Sequence, residues 1–222
     1  MDINKVIFNK SDLMMVFQSL LDAYGPQDWW PGETAFEVMI GAILTQNTAW
    51  SNVEKAIGNL KQADIFSETA LLDSSHDEVA QLIRPSGYFN IKTDRLKQFC
   101  GFLQQQGGEN ALRELDTLKL RKLLLSVKGV GPETADDMLL YAFQRPVFVI
   151  DAYTRRLFSR LGMVTGDESY EVLRAGFELA LGPDTELFNE YHALIVCHAK
   201  NFCNTKPKCS GCPVANRCTI PE

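Results

Sequence analysis

The chain has 222 residues, 45% hydrophobic and 23% charged, with 22 Lys and Arg against 28 Asp and Glu for a net charge of −6. That length can bury roughly 70% of the unfolded surface in one large domain or two small packed ones, and no apolar run approaches the roughly 18 residues of a membrane helix. Met1 to Lys10 lacks the basic-then-apolar layout of a signal peptide, so a cytoplasmic protein without disulfides or a membrane partner is expected. The acidic average counts against nucleic acid unless positive potential is gathered on one face.

From Asp12 to Tyr24, behind Ser11 as N-cap, apolar Leu13, Val16, Phe17, Leu20 and Leu21 recur at helical spacing until Gly25-Pro26 ends the run. Thr34 and Glu37 form a capping-box pattern ahead of Val38, Met39, Ile40, Ile43 and Leu44, and Val53, Ala56, Ile57 and Leu60 continue the period. Ser75 and Glu78 repeat the pattern before Val79, Leu82 and Ile83, which Pro85 and Gly87 terminate. Further helices are predicted at about 91–105, 117–127, 132–143, 152–161, 168–181 and 184–200. The single strand-like run, Val147 to Ile150, is too short to found a sheet, so the fold class is all-α. No repeat, low-complexity tract or flexible linker interrupts it.

Cys203, Cys209, Cys212 and Cys218 fall within sixteen residues, spaced C-x5-C-x2-C-x5-C. Four thiolates so close can surround one zinc ion or hold a 4Fe-4S cluster. Zinc sites usually pair two short hooks, and the lone short hook here favours the cluster, with zinc as the alternative. Cys100 and Cys197 lie on apolar helical faces and read as small buried hydrophobes. His192 and His198 read as satisfied side chains of the helix leading into the cysteine loop.

Two apolar helices meet at Gly129-Val130-Gly131, with Pro132 suited to the first turn of the second. Such a hairpin exposes backbone N–H groups beside a positive helix end, where a DNA phosphate can dock without a strongly basic surface. Gly129 and Gly131 are therefore candidate DNA contacts, although an ordinary helix–helix turn accounts for a lone G-V-G equally well. Asp151, between the apolar run and the helix from Ala152, reads by itself as an N-cap.

Taken in order, the hairpin, an aspartate about twenty residues later and a terminal four-cysteine loop resemble the endonuclease III superfamily of helix-hairpin-helix base-excision glycosylases over nearly the whole chain. The resemblance implies two helical lobes: a central helical barrel at 31–144 ending in the hairpin, and a second lobe from 1–30 and 145–222 that carries a 4Fe-4S cluster in the loop 203–218. A cleft between them, with Asp151 at its wall, would act on double-stranded DNA containing a damaged base. The family's aspartate, which stabilises positive charge on the deoxyribose or readies the attacking water, maps onto Asp151. Bifunctional members place a Schiff-base lysine two residues after the second hairpin glycine. Glu133 stands there instead, which implies a monofunctional enzyme. The first cysteine gap of five residues is one shorter than in endonuclease III.

Within the superfamily, the strings Trp29-Trp-Pro31, Leu44-Thr-Gln-Asn-Thr48, Arg84-Pro-Ser-Gly-Tyr-Phe-Asn90 and Lys128-Gly-Val-Gly-Pro-Glu-Thr-Ala-Asp136 look like the endonuclease III-like 3-methyladenine DNA glycosylases. That branch also has the glutamate, but lacks the cysteine loop. By this likeness Trp29 and Trp30 stack on a cationic base and Glu133 adds negative potential. Gln46 and Asn47 occupy the position of the amide wedge that fills the vacated base stack, Tyr88 lies in a second insertion loop, and Lys92, with Arg84 and Arg95, offers phosphate contacts. The expected protein is a nucleoid-associated monomer. The rivals are a glycosylase for mismatched thymine, uracil or an oxidised pyrimidine, and a non-catalytic iron-sulfur protein that binds DNA or senses redox state.

Overall fold

The computed structural model describes residues 8–29 and 32–219. Among the described residues twelve α-helices follow one another: α1 (Lys10–Tyr24), α2 (Ala35–Leu44), α3 (Trp50–Gln62), α4 (Glu68–Asp73), α5 (His76–Leu82), α6 (Phe89–Gln105), α7 (Gly108–Arg113), α8 (Thr117–Ser126), α9 (Pro132–Asp137), α10 (Ala152–Arg160), α11 (Tyr170–Leu181) and α12 (Thr185–Asn201). No strand occurs among these residues, so the fold is all-α, and no helix is long and apolar enough to cross a membrane. The chain divides into two compact units, one from Trp30–Gln144 and one from both chain ends, Met1–Trp29 and Arg145–Glu222.

Side-chain caps set most of the helix starts. Thr34, Ser67, Ser75, Asp116, Asp151, Ser169 and Asp184 each accept the backbone N–H three residues on, satisfying a donor that the first turn leaves without a partner. The first helix starts earlier than its sequence predicts: Asn9, not Ser11, is the cap, and its Oδ1 takes both the Ser11 N–H at 3.0 Å and the Ser11 hydroxyl at 2.9 Å. The box at Thr34 is half made. Thr34 Oγ1 accepts from Glu37 N, while the Glu37 carboxylate turns to the Glu33 N–H and to Lys61.

In the Trp30–Gln144 unit, α2 is buried on every side from Val38 to Leu44, and α6 lays Leu96, Phe99, Cys100 and Leu103 into the same core. The helix predicted at 132–143 changes character midway: α9 ends at Asp137 and the chain continues as a wider π-helical segment, Met138–Ala142, that is wholly buried. α8 and α9 flank the glycine turn and are locked together across it. Arg121 donates from Nε to Asp136 Oδ1 at 2.7 Å and from Nη2 to Oδ2 at 3.0 Å, and Asp136 has no exposed surface.

In the unit of the chain ends, the residues that looked strand-like form a buried extended segment with Phe148 at its centre. Phe148 stacks on Phe177 at 4.3 Å and meets Phe188 and Tyr191 edge-on, while Phe158 closes the cluster on Phe177 at 4.8 Å. The Tyr191 hydroxyl donates to Leu13 O at 2.7 Å, fixing α12 against α1. An apolar run without strand partners is thus accounted for by aromatic packing.

The buried pair at the hairpin yields a test. Asp136→Ala leaves the Arg121 guanidinium without its bidentate partner in a site only 12% exposed, and is expected to cost about 3–5 kcal/mol in urea unfolding. A loss below about 1 kcal/mol, the range of a surface pair, would show that the bridge does not hold the hairpin.

Candidate functional site

Asp151 sits where the buried segment passes into α10, with φ −90° and ψ −179°. Its Oδ1 accepts the Thr154 N–H at 2.6 Å, and its Oδ2 lies 3.5 Å from His192 Nε2 on α12. Burial works to raise the carboxyl pKa. The His192 bond and charge, with the Thr154 N–H, outweigh it and hold the group below the ordinary carboxylate range. The result is a buried, ionised carboxylate, hydrogen-bonded at Oδ1 and with Oδ2 3.5 Å from an imidazole nitrogen. The Trp29 ring lies over His192, centroids 5.9 Å apart at 37°. Two residues singled out in the sequence, Trp29 and Asp151, are thereby joined through a third that seemed to be a plain helix side chain. Trp30 and Pro31 lie outside the described residues.

The same helix reaches the cysteines at its other end. Arg156 Nε donates to Cys203 O at 2.7 Å, and Arg160 Nη1 donates to Cys203 Sγ at 3.2 Å and to Asn204 O at 2.8 Å. Cys203, Cys209, Cys212 and Cys218 all line one cavity of about 50 Å³ with Leu157, Arg160, His198 and Phe202. Burial raises the Cys212 thiol, and the neighbouring Cys203, Cys209 and Cys218 raise it further. His198 Nε2 lies 3.8 Å from Cys212 Sγ, and its Nδ1 shares a 2.8 Å hydrogen bond with the Tyr24 hydroxyl. Burial lowers this histidine to about 4, so it stands neutral beside the thiols. Cys100 fits its expected buried role, its thiol pushed up to about 12, whereas Cys197 is only partly covered.

In the Trp30–Gln144 unit the hairpin needs only one of its two glycines for its conformation. Gly129 has φ +92°, and a Cβ there would stand 2.6 Å from Arg95 Cγ. Gly131 has an ordinary φ of −91° and open space where its Cβ would be. Lys128, Gly131, Pro132 and Glu133 are exposed, with Glu133 in the first turn of α9.

Asn47 and Tyr88 are exposed at the tips of two turns, with left-handed φ values of 56° and 46°. Gln46 is not free to act as a wedge: its Nε2 donates to Gly129 O at 3.0 Å and Thr134 Oγ1 at 2.9 Å, and its Oε1 accepts from Arg95. Lys92 requires a correction. It is 1% exposed and donates to Leu44 O and Ser86 O, both at 2.7 Å, so its ammonium faces protein rather than a phosphate.

Residues 40–182 match the HhH-GPD superfamily base excision DNA repair protein family. The chain belongs to this superfamily. A protein of Methanocaldococcus jannaschii that carries the name of a DNA repair glycosylase is 49% identical over 95% of this chain and 97% of its own. Endonuclease III of Sulfolobus acidocaldarius is 28% identical over 82% of this chain and 81% of its own. Among solved structures, the H. pylori 3-methyladenine DNA glycosylase bound to 1,N6-ethenoadenine superposes with a TM-score of 0.74 at 29% identity, covering 87% of this chain and 98% of that one. An endonuclease III–DNA complex superposes with a TM-score of 0.82 over 96% of both chains at 20% identity, a likeness of fold.

Within this HhH-GPD chain, sequence reasoning missed His192, Arg156 and Arg160. The pairing of His192 with Asp151 joins residues far apart in the chain, and no local spacing announces it. Arg156 and Arg160 are one turn apart on α10, and that spacing on a helix leading toward four cysteines was the available sign.

The depressed Asp151 pKa fixes a sign. A carboxyl held lower in the folded state than in the unfolded chain, where it titrates near about 3.9, adds stability above that pH and loses it as pH falls through the folded value. Asp151→Asn, which keeps a cap of similar strength, is expected to cost less than Asp151→Ala, itself about 0.5–2 kcal/mol. The deficit of the Asn variant in urea melts should shrink as pH drops below about 4. A deficit constant from neutral to acid pH would show that the charge contributes nothing.

Proposed function

We propose that the protein is a monofunctional DNA glycosylase that hydrolyses the N-glycosidic bond of a flipped-out alkylated purine such as 3-methyladenine. The observation that carries this is Asp151, a buried carboxylate kept ionised by His192 and by the Thr154 N–H. As the bond from C1′ of the deoxyribose to the base breaks, its electron pair leaves with the base and positive charge grows on the sugar. A fixed, dry carboxylate stabilises that charge without reorganising. Water then bonds to C1′ and loses a proton to solvent, leaving an intact abasic strand. An N3-alkylated adenine enters already cationic and departs neutral, so it needs no proton from the enzyme. Trp29, set beside this carboxylate through His192, can attract such a base through its ring at about 0.5–2 kcal/mol. The 29% identity to the 3-methyladenine enzyme supports the substrate class, and Glu133 in place of a lysine supports hydrolysis without an imine.

Duplex DNA would be gripped by the exposed hairpin around Gly129 and Gly131, while Asn47 and Tyr88 enter the stack vacated by the flipped base. Cys203, Cys209, Cys212 and Cys218 would hold a 4Fe-4S cluster, which orders the loop around itself when bound. Thiols that ring a cavity suit one thiolate per iron.

Two measurements test these assignments. The purified protein is expected to be yellow-brown with about four irons per chain, and a colourless protein with one zinc would overturn the cluster. On duplexes containing methylated purine, uracil, mismatched thymine or oxidised pyrimidine, release should be confined to the methylated base. Asp151→Asn should lower that release by at least about a thousandfold with binding largely kept, and borohydride should trap no adduct. Preferential release of a pyrimidine, or a robust trapped adduct in the unmodified protein, would replace this reading with a different lesion or with lyase chemistry.

A further inference from the structure

α6 carries two cations one turn apart, and between them they reach all three turns to which the proposed function assigns DNA. Lys92 Nζ donates at 2.7 Å to Leu44 O, three residues before Asn47, and at 2.7 Å to Ser86 O, two residues before Tyr88. Arg95 donates to Gln46 Oε1, and the Gln46 amide passes the connection on to Gly129 O and Thr134 Oγ1 of the hairpin. The Arg95 stem also fills the space beside Gly129, where a Cβ would meet it at 2.6 Å. We propose that Lys92 and Arg95 form a brace that presets the Asn47 turn, the Tyr88 turn and the hairpin as one rigid DNA-reading surface.

A lysine 1% exposed is expensive to bury, and an apolar side chain of the same length would suit the stripe it shares with Leu96, Phe99 and Leu103. What it gives in return is donors for two carbonyls at the roots of two loops. The loops need them, because Asn47 and Tyr88 hold left-handed backbones that a residue with a Cβ leaves readily when nothing restrains it. Burial, with the charge of Arg95, brings the Lys92 amine to about 8. Ammonium and neutral amine alike keep two N–H donors, so the bonds to both carbonyls survive either state. A surface ordered beforehand loses less freedom when it enters the duplex, and that saving falls on the complex in which the tips insert. Lys92 and Arg95 are thus positioning residues for damage recognition.

The inference rests on Asn47 and Tyr88 as the inserting residues, and the test separates the two. The full chain is measured against a duplex carrying a tetrahydrofuran abasic-site analogue and against the same duplex unmodified. Asn47→Ala and Tyr88→Ala should lower the preference for the abasic site about tenfold. Lys92→Met, which frees only the two tip turns, should lower it about as much with affinity for the unmodified duplex changed less than about twofold, whereas Arg95→Ala, which also frees the hairpin, should lower the preference and weaken both duplexes, and Arg95→Lys should restore part of it. If Lys92→Met does not fold, Lys92→Gln and Gln46→Ala take its place. An unchanged preference in the folded brace variants, when the tip variants lose theirs, overturns the brace. Equal loss on both duplexes in the Lys92 variant also overturns it, as the mark of a general structural defect. Tip variants with undiminished preference would overturn the insertion reading and the brace with it.

Discussion

The N-terminal cap of α10 is the constraint on which the proposed chemistry depends. Asp151 Oδ1 is committed to the Thr154 N–H, and that bond fixes the carboxylate plane so that Oδ2 points toward His192. A helix of nine residues cannot hold such a cap by itself, because helices this short are marginal without tertiary support. Support comes from both ends. Phe158 is buried in the aromatic cluster around Phe177, Leu157 is buried against the cysteine cavity, and Arg156 and Arg160 grip the first cysteine of the loop through its carbonyl and its sulfur. The cysteine loop is therefore mechanically part of the carboxylate's setting, since its loss would release both arginines from Cys203 and Asn204.

The acidic chain raises a second question, how it meets a polyanion. In the proposed function, backbone supplies much of the answer. Gly131 leaves its side of the hairpin open, and Gly129 allows the turn to close on Arg95 without a side chain between them. The two helices are held by a bidentate Arg121–Asp136 pair whose acid is buried, so this negative charge is neutralised within the protein and projects little toward a ligand. Two of the three cations that seemed placed for phosphate work inside the unit instead, and Arg84 remains exposed. Grip through N–H groups and a few exposed cations is compatible with a net charge of −6.

Much of this was legible in the sequence. Ser75, Thr34 and Asp151 announced their helices because capping is local chemistry, and the cysteines and the hairpin were visible as spacings. The short helices α4 and α7 were not, since six residues give too little periodicity to register. Lys92 was misjudged for a reason its own neighbourhood could have corrected. Grouped by charge with Arg84 and Arg95 it looked solvated; placed by helical period it falls in register with Leu96, Phe99 and Leu103, all buried. Periodicity was the better guide than residue type. His192 had no such cue, because its partner lies on another helix and only the fold joins them.

In the proposed function, what the carboxylate cannot do bears on the substrate more than what it can. With its pKa held below the ordinary range, Asp151 has no proton to donate at neutral pH, so it cannot assist a leaving base by protonating it. Burial alone would have produced the opposite, a raised pKa and a general acid. His192 and the Thr154 N–H reverse that sign, which in the proposed function leaves electrostatic stabilisation of the sugar as the carboxylate's part. A neutral purine, whose departure requires a proton, gains little from such a residue. A base that already carries positive charge gains all it needs, because its glycosidic bond is weakened before it arrives and the remaining barrier is the charge left on deoxyribose. Under the proposed function, an ionised Asp151 therefore suits a base that arrives already cationic better than a neutral one.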